Sequence, residues 1–111
     1  MELVIGGRAQ GKLEYARKLT SDDKIIDNFA LIIKNLMECE NNDLDDFVEE
    51  FINDHQDYVV ILEEIGLGLV PIDKKERDYR DKYGRICCKL VEHATKVHRV
   101  YCGIGSVIKD V

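Results

Sequence analysis

An α/β fold is predicted, with a parallel sheet of about four strands covered by helices on both faces. Three observations point to it. A glycine-rich run, Gly6 to Lys12, stands between a short apolar segment and an amphipathic one. Tyr58-Val-Val-Ile-Leu62 is a continuous apolar run, the pattern of a strand buried on both faces of a parallel sheet. Strand-like and helix-like segments alternate along the chain, as parallel sheets require.

Taken in order, Leu3 to Ile5 reads as a short buried strand that runs into Gly6-Gly7-Arg8-Ala9-Gln10-Gly11-Lys12. The spacing Gly-x4-Gly-Lys between a strand and a helix is that of a phosphate-binding loop. Glycines let successive backbone N–H groups turn toward phosphate oxygens, and the following helix presents its positive end. Lys12 supplies a full charge for the terminal phosphates. The motif normally closes with Ser or Thr, whose hydroxyl binds Mg²⁺, and here that position is Leu13. A P-loop NTPase-like architecture of reduced size follows, with Gly6, Gly7, Arg8, Ala9, Gln10, Gly11, Lys12 and Leu13 as the candidate nucleotide cradle.

After the loop, Leu13, Ala16 and Leu19 form a short helix face, and Lys24-Ile25-Ile26-Asp27 reads as a second buried strand ending in a carboxylate. Asn28 is positioned to cap a helix whose apolar residues Phe29, Ile32, Ile33, Leu36 and Met37 repeat at helical spacing. Residues 40–43 read as a turn. Leu44, Phe47, Val48, Phe51 and Ile52 repeat the same stripe, with Asp45 and Asp46 in the first turn where the helix dipole favours them. The strand Tyr58–Leu62 leads through an irregular connection, residues 63–71, to a capping box at Asp73–Glu76. That box opens the longest helix, with Tyr79, Tyr83, Ile86, Leu90, Ala94 and Val97 at steps of three or four. Gly84 inside it costs about 1 kcal/mol relative to Ala, and the close approach of another element is the expected reason. His98 to Cys102 reads as a last strand, and Gly103 to Val111 as a tail.

The 111 residues, 45% of them hydrophobic, are expected to form a single domain over residues 1–111 with a sizeable core. The formal charge of −6, from 16 basic and 22 acidic residues, argues against non-specific nucleic-acid binding. No apolar run reaches membrane-spanning length and no basic-then-apolar leader opens the chain, so a cytoplasmic protein without membrane contact is expected. Cys39, Cys87, Cys88 and Cys102 contain no CxxC spacing and are expected to be reduced.

Ligands of open parallel sheets collect at the carboxyl ends of the strands. The loop, Asp27 after the second strand, and Glu63-Glu64 after the third fall there together. Lysine and loop amides beside carboxylates able to hold Mg²⁺ make a phosphoryl-transfer set, in which Lys12 and Glu64 are the catalytic candidates and Asp27, Glu63 and Glu64 the Mg²⁺ candidates. Asp27 reads equally as a helix cap. Consecutive side chains at a strand end point to opposite faces, so one of Glu63 and Glu64 faces the site. Arg77 and Arg80 either clamp an anion or pair with Glu76 and Asp81 on a solvated helix. His55, His93 and His98 are scattered and suggest no metal site.

These residues together resemble a known family, the adenosylcobinamide kinase/adenosylcobinamide-phosphate guanylyltransferases. Gly6 to Lys12 is similar to that family's GGARSGKS-type loop, and Glu64-Ile-Gly-Leu-Gly-Leu-Val-Pro71 to its NEVGxGIVP signature. Arg77-Asp-Tyr-Arg-Asp81 with Gly84-Arg85 resembles its RxFRDxxGRxNQ helix, and Ile25-Ile-Asp27 with Asn35 its DCLTxWxxN strand and helix. Val100-Tyr-Cys-Gly103 to Lys109 is similar to the strand and tail that close family chains. The resemblance implies GTP or ATP as nucleotide, a cobinamide-like substrate, kinase-type transfer in cobalamin biosynthesis, and a homo-oligomer. It also marks departures. Family members are longer, and the missing portion, which carries the histidine that becomes guanylylated, falls between Leu19 and Lys24. Leu13 replaces the metal-binding hydroxyl, Glu63 stands in place of Asn, and Cys87-Cys88 in place of Asn-Gln. Loss of the guanylyltransferase step is therefore expected. The alternative is a catalytically inactive relative acting as an interaction or regulatory protein.

Overall fold

The computed structural model describes residues 1–39, 43–64 and 73–111. Within them the chain runs β1 (Glu2–Gly6), α1 (Lys12–Arg17), a 3₁₀ turn (Asp22–Lys24), β2 (Ile25–Ile26), α2 (Phe29–Glu38), α3 (Leu44–Asp54), β3 (Val59–Glu63), α4 (Lys74–His93), β4 (Lys96–Tyr101) and β5 (Ile104–Asp110). One sheet has the order β2-β3-β1-β4-β5. The first four of these pair in parallel, and β5 closes the edge antiparallel to β4. The predicted α/β architecture is present, with the central strand β1 leading directly into the glycine-rich loop.

Alternation along the strands divides the core into two layers. Leu3, Val60, Leu62 and Val97 face α2, α3 and α4 and pack with Phe29, Ile33, Tyr83 and Leu90. Val4, Val59, Ile61 and Val100 face α1 and pack with Ala16, with Leu13 and Leu19 partly buried against them. Leu3 and Val4 are both 0% exposed although they point to opposite faces, which is why β1 and β3 read as unbroken apolar runs. Each helical stripe puts its i, i+4 residues into the larger layer: Phe29 and Ile33 from α2, Val48 and Ile52 from α3, and Ile86 and Leu90 from α4.

Asp43 caps α3 by accepting from the Asp45 and Asp46 N–H groups, and Asp73 caps α4 by accepting from Lys75. Asn28 occupies the cap position of α2, but its side chain makes no capping hydrogen bond. The helix predicted to continue through Val97 stops at His93. Ala94 is extended (φ −72°, ψ 142°), and Val97 is a buried β4 residue paired with Leu3.

The segment read as a tail is a strand. Cys102 (φ 51°) and Gly103 (φ 76°) both take left-handed angles, the two-residue hairpin turn whose twist matches the strands it joins. Lys109 on β5 then donates to the carbonyls of Val91 (2.7 Å) and Glu92 (3.1 Å), closing the open end of α4. Residues 40–42 of the predicted turn and 65–72 of the connection after β3 lie outside the described residues.

Gly84 departs from expectation. A Cβ built on it meets nothing within 4 Å among the described residues, so none of the described elements requires a glycine there. Gly84→Ala should therefore raise stability by up to about 1 kcal/mol, read as a higher urea midpoint at unchanged m-value.

Candidate functional site

Gly6 ends β1 where neighbouring backbone leaves no room for a side chain. A Cβ there would lie 2.6 Å from the Val100 carbonyl oxygen and 3.2 Å from the Lys12 side-chain carbons. The chain then turns through Ala9 (φ 57°) and Gly11 (φ 85°), the second angle being one that glycine adopts without strain. Gly11 is also the cap residue of α1. No side chain caps that end, which leaves the first N–H groups of the helix for an external acceptor. Lys12 lies back over the loop and donates from Nζ to the Gly7 carbonyl.

One side chain braces the loop from outside. Gln10 Oε1 accepts from the Cys102 N–H at 2.7 Å, and the Gln10 carbonyl accepts from the Gly103 N–H at 2.8 Å. Both donors belong to the β4–β5 turn, so the loop and that turn are held as one unit. Leu13 does not face the loop. It is partly buried against the core layer beneath α1.

The carboxylates at the strand ends behave differently from one another. Glu63 lies 4.0 Å from Arg8, whose side chain is 93% exposed, a long and solvent-screened pair. Glu64 donates its N–H to the Gly6 carbonyl at 2.9 Å, and its carboxylate meets Arg99 of β4 at 3.2 Å. The two glutamates thus have partners on different elements, as alternation requires. Asp27 follows β2, and β3 lies between β2 and the loop-bearing β1, so this carboxylate is exposed and stands apart from the others. Among the described residues, no three His, Cys, Asp or Glu side chains form a metal-holding group. Leu13 is thus partly buried in the layer beneath α1, Asp27 follows a strand two places from β1, and Glu64 is paired with Arg99. On α4, Arg80 lies 3.7 Å from Glu76, one of the pairings its spacing allows.

Two features were not legible in the sequence. His98 is 2% exposed, with Nδ1 2.8 Å from the Tyr15 hydroxyl and Nε2 3.1 Å from the Glu2 carboxylate. A neutral ring protonated at Nε2 satisfies both contacts, donating to Glu2 and accepting from Tyr15. The Tyr15 ring also occupies the space before Gly105, where a Cβ would lie 2.0 Å from its Cε2. Helix α1 is thereby pinned to both strands of the hairpin. The second feature lies on α4. Burial pushes the Tyr83 hydroxyl far above the usual phenol range, with the Cys87 thiol beside it acting in the same direction. Burial likewise raises Cys87, to about 11. Alternation in β4 was the available signal for the burial of His98, but nothing local names its partners.

The fold is that of a P-loop NTPase-like α/β protein, with a glycine-rich loop at the end of its central strand. The particular lineage is also established: a family model described as cobinamide kinase/cobinamide phosphate guanyltransferase (CobU) matches residues 10–108, and the chain belongs to that family. It is 39% identical over 51 residues to the bifunctional adenosylcobalamin biosynthesis protein CobU of Salmonella typhimurium. That alignment covers 46% of this chain and 28% of the relative, so the chain matches only part of that protein's length. No helix among the described residues is long and apolar enough to cross a membrane.

Tyr15→Phe should lower stability by about 1–3 kcal/mol in urea unfolding, because it leaves the buried Nδ1 of His98 without a donor. Cys87 should be the slowest of the four cysteines to react with iodoacetamide at pH 8, where only about one thiol in a thousand would be ionised. Mass spectrometry after timed labelling reads this directly.

Proposed function

We propose that this chain is a reduced member of its family that binds GTP or ATP at the loop Gly6–Lys12 and has lost guanylyl transfer. The observation that carries the reading is the state of the loop: glycine where the chain crosses beneath Val100, left-handed backbone at Ala9 and Gly11, and an uncapped helix start. Phosphate oxygens would take the first N–H groups of α1 and draw Lys12 Nζ from the Gly7 carbonyl. No histidine lies between Leu19 and Lys24, where the family resemblance puts the guanylyl carrier.

The transfer that the remaining parts suit is phosphorylation of an alcohol. The alcohol oxygen attacks the γ-phosphorus, the bond to the β–γ bridging oxygen breaks, and the alcohol proton leaves to Glu64 or water. Lys12 would offset charge on the phosphates, and Arg99 holds Glu64 in place beside the loop. A cobinamide-like acceptor is the one the family name suggests.

A second reading, nucleotide binding without transfer, is favoured by Leu13. Its side chain is partly buried against the core layer, and the position after Lys12 carries no Mg²⁺-binding hydroxyl.

Thermal unfolding with GTP or ATP, with and without Mg²⁺, tests both. Nucleotide at 100 times its dissociation constant adds about 2.7 kcal/mol, which for a domain of this size raises the midpoint by about 10 °C. Lys12→Ala should abolish the shift. No shift with either nucleotide sinks both readings, and a full shift without Mg²⁺ together with no γ-phosphate transfer selects the second.

A further inference from the structure

Strand β5 is the last in the sheet, and no described strand pairs with its outer side. An open edge of this kind is a template for another strand, and proteins guard such edges with charge or proline. Ile104-Gly-Ser-Val-Ile108 contains neither. The next residue, Lys109, is turned back to the carbonyls at the end of α4, and Asp110 lies 4.0 Å from Lys96 on the neighbouring strand. Apolar exposure gathers on the same edge. Apart from Leu31, every exposed large hydrophobic among the described residues belongs to the hairpin or follows it: Tyr101, Ile104, Val107, Ile108 and Val111. The hairpin also sets which backbone groups face outward. A two-residue turn closes on a hydrogen-bonded pair, here Tyr101 and Ile104, and bonded and non-bonded pairs alternate from there. Ser106 therefore bonds inward to Arg99, while the N–H and C=O groups of Gly105 and Val107 point away from β4. Ile108 is the extra residue of a bulge, with no opposite number on β4.

We propose that β5 pairs antiparallel with β5 of a second copy of this chain about a twofold axis at Ser106, joining two five-stranded sheets into one. In that register Ile104 meets Ile108 of the second copy, Gly105 meets Val107, and Ser106 meets Ser106. Each outward-facing backbone pair then exchanges both of its hydrogen bonds. The segment reads nearly the same from either end, large residue against large and valine against glycine, which is the self-complementarity an isologous contact requires. Charge selects the same arrangement. Each copy carries −6, so two copies repel, and the stretch Ile104–Ile108 offers them an uncharged place to meet. Antiparallel pairing sets Lys109 and Asp110 opposite Gly103 and Cys102, whereas parallel pairing in register would set each opposite its own like charge. Val107 also lands beside the Tyr15 ring of the second copy, which fills the space before Gly105. This interface does not depend on the nucleotide-binding reading above.

The test is sedimentation velocity of the full chain over rising concentration, with variants at the axis. The wild type should pass reversibly from monomer to dimer. Ser106→Arg brings two guanidinium groups face to face and should weaken the dimer about tenfold. Ser106→Cys should crosslink the dimer under mild oxidation, because opposed residues of a non-hydrogen-bonded pair stand close enough for a disulfide. Peptide mapping separates that bond from any formed at Cys39, Cys87, Cys88 or Cys102. Ile104→Cys should not crosslink to its own copy, since the twofold places the two positions about 14 Å apart. Should Ser106→Arg not fold, the comparison of the two cysteine variants decides. A chain that stays monomeric at millimolar concentration, an assembly other than a dimer, a dimer that Ser106→Arg leaves as tight as before, or a Ser106→Cys chain that crosslinks no more readily than Ile104→Cys would each overturn the proposal.

Discussion

The carboxyl end of β1 is where the molecule is tightest, and the constraint there is steric. Val100 of β4 brings its carbonyl to within 2.6 Å of where a Gly6 side chain would begin, and Glu64 after β3 bonds the Gly6 carbonyl from the other side. A strand flanked this closely can turn off the sheet only through a residue without a Cβ. The methylenes of Lys12 then cover Gly6 from above. The parallel pairing of three strands, the path of the loop and the position of the lysine all depend on that one missing side chain.

What the sequence made legible is what is local and periodic. The strand Val59–Glu63 announced itself as an apolar run because both of its faces are buried, and α2 and α3 did so because their stripes repeat every three or four residues. The glycine-lysine loop was legible as a strand-to-helix connection because its glycines and lysine stand in consecutive residues. Contacts between distant residues were not. Nothing near Ile104–Asp110 says that Lys109 will close the end of α4, so the strand resembled a tail. Val97 fitted the helical step of α4, but pairing with Leu3 in the sheet prevailed over that local pattern. His98 looked like one of three scattered histidines until the fold brought Tyr15 and Glu2 to its two nitrogens. Gly84 meets no close contact among the described residues: a glycine can mark a close contact or an open space, and spacing alone does not distinguish them.

The departures from the family pattern also have a physical form. Between α1 and β2 the chain crosses through residues 18–24, with a single 3₁₀ turn and an Arg17–Asp22 pair at 3.2 Å. The position next to the loop lysine, a metal ligand in the motif, is a packing residue here. The connection is short, Leu13 adds apolar surface to the small core layer beneath α1, and the loop backbone turns through left-handed angles at Ala9 and Gly11.

The Gln10 brace has a thermodynamic side. A loop held in shape by the β4–β5 turn has its ordering entropy spent during folding, so a ligand entering it meets a preorganised surface. The same coupling runs in reverse, since linkage between two sites is reciprocal. A ligand that ordered the loop further would therefore tighten the hairpin at the edge of the sheet, where Tyr101 and Ile104 stand 71% and 74% exposed. The outermost strand would then be the place where an event at the loop is felt as slower local opening of the fold.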